Sequence, residues 1–287
     1  MIAECHHELS SEEIERIFNA ISIPACPAMI ADVMVEAQRD EPDLSRLARL
    51  ISADAGMSAI ALKLANSPLF RAGSPVSNIH KALERLGIRN TVCVVVSVAL
   101  RSALQGASSH FIEKFWRKTS TLALAAGLIA RRQYGVSPDA AYTYALFHDA
   151  GIPLMMSRYP DYENKVGHGL AQGLSVIAAE EAHYPCNHSI IGSLLVRSWG
   201  LPAIIGQAIR FHHESDMYQL GESTLPGKAL SLIAVTQIAE FLADELDGKT
   251  DQEVDNRLFS RALAHFGIAP TDMDDLREAI EAARNDA

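Results

Sequence analysis

Three short stretches of this sequence concentrate side chains that bind metal ions and move protons. Residues 144–156, YALFHDAGIPLMM, set His148 and Asp149 side by side in an otherwise apolar run. Asn187-His188 opens a second apolar run, and His212-His213-Glu214 closes the stretch AIRFHHE. Buried imidazole and carboxylate groups cost free energy unless hydrogen bonds or a cation satisfy them. When separate helices each turn one or two such groups inward, they can build a metal site. Each residue also has a structural reading. His148 and Asp149 can form a hydrogen-bonded polar cluster, and His188 can start a helix capped by Asn187. His212 and His213 can be imidazoles that favour the negative end of a helix dipole. His6 and His7 beside Cys5 read as part of a frayed terminus.

The elements that must position these groups are helices. After Ser10, with Glu13 three residues on as a capping box, Ile14, Ile17, Phe18 and Ile21 share one face. Met29 to Ala37, Asp43 to Ser52 and Asp54 to Ala65 give three further helical stripes, the last stopping at NSP. Ser77-Asn78 caps a helix running to Gly87, where a left-handed C-cap is expected. The β-branched run VCVVVSVAL, Val92 to Leu100, favours a strand locally, but no partner strand is visible, so it reads as buried helix. Later helices are expected over Phe111–Gln133, Pro138–Asp149, Asn187–Trp199, Pro202–His213, Lys228–Leu246, Asn256–Phe266 and Asp272–Arg284. Trp116 and Trp199 read as core anchors, and Asn66 as the residue that closes a helix and opens the SPLF turn. The fold class is all-α, with a soft boundary near Gly106 to His110. The lobes expected are 1–108, 109–248 and a helical tail, 249–287.

Composition narrows the functional classes. The 287 residues, 48% hydrophobic and 21% charged, have the balance of a globular protein with a sizeable core. A formal net charge of −10 argues against a general nucleic-acid binder. Cys5, Cys26, Cys93 and Cys186 lack CxxC spacing, which suggests neither a zinc ribbon nor a secreted disulfide framework. The start reads as no signal peptide, and the most apolar run is about half of what a membrane span needs. A cytoplasmic protein without a membrane crossing is expected.

Read in order, these segments resemble the HDOD module, a relative of the HD phosphohydrolases and HD-GYP phosphodiesterases. The resemblance rests on FWRKTSTLALAAGLIA, YALFHDAGIPLMM, YPCNHSIIGSLLVRSWGLP and AIRFHHE in the second half. In the first half it rests on IPACPAMIADVM, DLSRLARLISADAGMSAIALKLANSPLF and SPVSNIHKALERLGIRN, with the LANS box at Leu64 to Ser67. It covers about Ile23 to Ala243. It implies an N-terminal helical lobe and an HD-type helical bundle.

The resemblance also implies where metal ligands fall and where they are lost. A histidine in the long helix before the HD pair is the first ligand of active HD enzymes, and Lys118 stands there. The HD pair is kept as His148 and Asp149, and the later histidines as His188 and His212 or His213. The Lys that often follows the pair corresponds to Ile152, and the closing Asp falls near Thr236. The GYP triplet is absent. Lys118 is expected to pair with Asp149 in place of a cation. The metal candidates are therefore His148, Asp149, His188, His212 and His213, holding either no ion or one divalent ion such as Fe, Mn, Zn or Ni. No catalytic residue is expected.

The first functional expectation is a bacterial signalling or regulatory module. It would bind a signalling protein or a small anionic ligand without catalysis, and homodimer formation is left open. The second is a metal-dependent phosphohydrolase using His148 and Asp149, whose cations would hold phosphoryl oxygens and activate water. The third is a sensor that holds an anion in the vacated cavity.

Overall fold

Helix-start signals act where the sequence places them. Asp43 Oδ1 accepts from the backbone N–H groups of Ser45 and Arg46 at 2.8 and 3.1 Å, and Asp54 Oδ1 accepts from that of Met57 at 2.8 Å. Asn187 Oδ1 does the same for Ile190 at 3.0 Å. These contacts satisfy N–H groups that a helix leaves unpaired. The computed structural model describes Ile21 and residues 28–37, 39–103, 109–248, 254–269 and 272–286. The expected capping box at Ser10 and the Cys5-His6-His7 cluster lie outside them.

The helices are α1 (Ala28–Ala37), α2 (Leu44–Ser52), α3 (Ala55–Asn66), α4 (Ile79–Ala103), α5 (Ser109–Ala130), α6 (Pro138–Phe147) and α7 (Gly151–Arg158). They continue as α8 (Tyr162–Ala171), α9 (Val176–Glu181), α10 (His188–Ser198), α11 (Ala203–Phe211), α12 (Gly227–Leu246), α13 (Asn256–Phe266) and α14 (Met273–Asp286), with one 3₁₀ turn at Met217–Gln219. Among the described residues there is no strand, so the fold is all-α. No described helix is long and apolar enough to cross a membrane.

The chain divides into two compact units. In one, formed by the described residues between Ala25 and Phe147 and from Ser231 onward, α4 packs on α3, α2 and α1, and α5 packs on α6 and α14. Its core includes Leu47, Ile51, Leu69 and Leu83, all inaccessible to solvent. The Val-rich run is helical, with Val92, Val94 and Val95 buried. Gly87 takes φ 73°, a conformation only glycine adopts without strain, and breaks α4 before that run. Asn66 does more than close α3. Its amide clamps Val76, donating to the carbonyl and accepting from the N–H, each at 2.8 Å.

The other unit holds His148–Leu230. Here α10 packs on α7 and α11, and α8 packs on α9. Two sequence readings need correction. The helix expected over Pro138–Asp149 ends at Phe147, and residues 148–150 form a turn. The stretch from Gly151 to Glu181, passed over in the sequence, forms α7, α8 and α9. Pro153 is tolerated because it sits in the first turn of α7, where its missing N–H would have no intrahelical partner.

Candidate metal centre

The centre begins with the turn at 148–150 and the close approach that follows it. A Cβ on Gly151 would lie 2.0 Å from the carbonyl oxygen of His188 and 2.9 Å from its Cα. Only a residue without a side chain lets α7 begin against the first turn of α10. Gly192, on the same face of α10, lets α11 come close, since its Cβ would lie 3.1 Å from Ile209 Cγ2, while Gly151 N at 3.5 Å would be in ordinary contact. This packing sets Asp149 beside His188. The end of α11 then brings in His212 and His213.

Asp149, His188, His212 and His213 each direct one ligand atom to a common point, all four within 4.8 Å of one another. Asp149 Oδ1 lies 3.4 Å from His212 Nε2 and 3.6 Å from His188 Nε2. Asp149, His188 and His212 are buried, and His213 is half-buried. Burial alone would raise the Asp149 pKa, but the neighbouring imidazoles, His148 foremost, hold its carboxyl well below the usual range, so it is a carboxylate. Burial pushes His212 below the ordinary histidine value, and burial with the neighbouring imidazoles pushes His213 well below it. Both favour the neutral form, which is the one that ligates metals.

Tautomers sharpen the picture. His212 Nδ1–H donates to the carbonyl of Ile209 at 2.7 Å, which leaves Nε2 with a lone pair. That lone pair and Asp149 Oδ1 are both acceptors, and both are buried without a hydrogen-bond partner among the described residues. Two acceptors at 3.4 Å repel unless a cation or a proton lies between them. A metal with ligand bonds of about 2.0–2.2 Å would space its tetrahedral ligands about 3.3–3.6 Å apart. The two separations from Asp149 Oδ1 match that edge. The His188 and His213 Nε2 atoms are closer, 2.9 Å apart, a spacing suited to a shared proton. It would open by about 0.4 Å to become an edge of the same polyhedron. The residues therefore fit a divalent ion.

Glu180 is the functional residue the sequence reading missed. It is fully buried, takes the His188 Nδ1–H at 2.9–3.0 Å, and accepts from the backbone N–H of His188 at 2.9 Å. The Tyr162 hydroxyl donates to the same carboxylate. Burial and Glu180 both push the Tyr162 phenol pKa up, which keeps it a donor. A carboxylate behind a ligating histidine fixes the ring and frees Nε2 for the ion. The available signal was a Ser175-capped helix, in which Val176, Ala179 and Glu180 share one face.

The other candidates fall as follows. His148 is outside the convergent four, and its Nε2 lies 3.1 Å from Asp149 Oδ2, the oxygen turned away from the other imidazoles. Ile152 is a half-buried residue in the first turn of α7. Lys118 on α5 and Thr236 on α12 belong to the other unit. There the Lys118 ammonium donates to Glu240 Oε1 at 2.8 Å, and Thr236 is buried.

Comparison with known proteins places these features in a family context. The family model described as the HDOD domain matches residues 23–215. A solved structure from Shewanella amazonensis SB2B, called a candidate phosphohydrolase, superimposes with TM-score 0.71 at 21% identity, over 94% of this chain and 97% of that one. A candidate signal transduction protein from Marinobacter aquaeolei VT8 superimposes with TM-score 0.66 at 18% identity, over 94% of this chain and 61% of that one. An uncharacterized protein of Treponema pallidum (strain Nichols) is 25% identical over 232 residues, which is 80% of this chain. The match spans 44% of that relative's length.

Proposed function

Because this chain belongs to the HDOD family, we propose that it is a regulatory module whose HD-type site holds one divalent metal ion and which acts by binding a partner rather than by hydrolysis. The observation that carries this reading is the convergence of Asp149 Oδ1 and the His212 Nε2 lone pair, both buried without a donor. His188 and His213 complete the set, and the mixture of imidazoles with one carboxylate suits Zn, Fe, Mn or Ni. When bound, the ion would act as a Lewis acid toward an anionic oxygen. Glu180 would orient His188, Ile209 would fix the His212 tautomer, and His148 would hold the second oxygen of Asp149.

Hydrolysis by a pair of cations needs carboxylates to spare. Asp149 is the one acid among the four convergent residues, and Glu180 is committed to His188 and Tyr162. The places the family resemblance gives to the first histidine and the closing aspartate hold Lys118 and Thr236. The partner we infer is a signalling protein or a small anionic ligand, with a cytoplasmic setting. The test is turnover of bis(p-nitrophenyl) phosphate and of a cyclic dinucleotide, with Mn²⁺, Fe²⁺ or Mg²⁺ added. We expect none above background. Turnover that His148→Ala abolishes would overturn the proposal in favour of a phosphohydrolase.

A further inference from the structure

Glu180 orients His188, and something must in turn orient Glu180. It lies near the end of α9, a helix of six residues, and its side chain is long and rich in rotamers. Among the described residues its carboxylate takes three donors, and two of them, the backbone N–H and Nδ1–H, belong to His188 itself. The third is the Tyr162 hydroxyl, at the start of α8. Only this one fixes the carboxylate from a side that the ligand does not supply. It reaches Glu180 Oε1, an oxygen that also lies 3.0 Å from His188 Nδ1. Without it the carboxylate could turn about its last bond, and the imidazole could follow.

Tyr162 is placed by contacts of its own. Its backbone N–H donates to the Tyr159 carbonyl at 3.0 Å, and its ring lies 5.9 Å from that of Tyr184 at 23°. The Tyr184 ring stacks in turn on Tyr159 at 4.4 Å, within the range of favourable aromatic pairs. The Tyr184 hydroxyl donates to Oδ1 of Asp161, the residue before Tyr162, at 3.3 Å. Dependence therefore runs from the tyrosines to Glu180 and from Glu180 to His188. We propose that Tyr162 is a positioning residue of the metal centre, one that fixes the His188 ring by holding Glu180. The consequence for affinity rests on the single-ion reading of the centre, whereas the hold on His188 stands without an ion.

Tyr162→Phe keeps the ring and removes the donor. Co²⁺ titrated into the full chain should bind about three- to tenfold more weakly than to the parent, a smaller loss than for a residue that touches the ligand directly. In a Glu180→Gln background the same change should alter affinity by less than about twofold, because Tyr162 acts through that carboxylate. The second readout needs no metal. In ¹⁵N-histidine-labelled protein, the Nδ1–H resonance of fully buried His188, assigned by its loss in His188→Asn, should shift and broaden in Tyr162→Phe. That of His212, held by the Ile209 carbonyl, should stay. A merely structural role would lower stability and leave both readouts in place, which would overturn the proposal. So would a loss of affinity that persists in full in the Glu180→Gln background. A parent chain that binds no Co²⁺ would contradict the proposed function instead, and the histidine spectrum would then decide whether Tyr162 positions His188.

Discussion

Replacing Gly151 by alanine tests whether the approach of α7 to α10 builds the centre. In most helix positions this change stabilises a protein, by about 0.4–1 kcal/mol, because glycine loses more backbone freedom on folding. Here the added Cβ would lie 2.0 Å from the His188 carbonyl oxygen, and the obstacle is backbone rather than a flexible side chain. Ordinary contact begins near 3.4 Å, so α7 and α10 must separate by about 1.4 Å. Overpacking of this kind costs about 1–3 kcal/mol, occasionally more. Set against the gain in helix propensity, a net loss of about 1–2 kcal/mol remains. Urea denaturation followed by circular dichroism measures it. Gly167→Ala is the control, because this exposed glycine of α8 has nothing within 4 Å of its would-be Cβ. That variant should gain stability. A Gly151→Ala protein as stable as the parent, with unchanged metal affinity, would refute the reasoning.

Other expectations follow from single contacts. Glu180→Gln keeps the side-chain volume but weakens the hold on His188 Nδ1–H, and should lower Co²⁺ affinity about 10–100-fold by absorbance titration. Asp43→Ala removes the acceptor for two N–H groups at the start of α2, and should cost about 1 kcal/mol in urea denaturation. Burial pushes the thiols of Cys93 and Cys186 up to about 12, so at pH 9 only about one in a thousand is a thiolate. In a protein with Cys5 and Cys26 changed to serine, both should resist a disulfide reagent at pH 9 and react once urea unfolds the chain. Rapid labelling of the native protein would contradict their burial.

What could be read in the sequence is what acts over a few residues. Asp43, Asp54 and Asn187 announce helix starts through contacts two or three residues away. The metal-binding types, Asp149, His188, His212 and His213, stand out for the same reason: imidazole beside apolar runs needs an explanation. Their convergence was legible only through family resemblance, because it depends on α7 touching α10, and a glycine at position 151 looks like any other glycine until the neighbouring carbonyl is in place. Glu180 hid because the short α9 was passed over and its role is set by a histidine eight residues on, across a turn. The Val-rich run shows the opposite balance. Local propensity pointed to a strand, and the lack of any partner strand correctly decided for helix.

The central claim is a single-ion site at Asp149, His188, His212 and His213, and metal stoichiometry tests it most directly. Protein purified without chelator and then equilibrated with excess Zn²⁺ or Mn²⁺ should, after desalting, carry about one ion per chain by plasma mass spectrometry, and anomalous scattering should place it among these four residues. His212→Ala should lose that ion. No retained ion, or an ion retained equally by His212→Ala, would contradict the account, and two ions per chain at the HD-type site would return the protein to the hydrolytic reading.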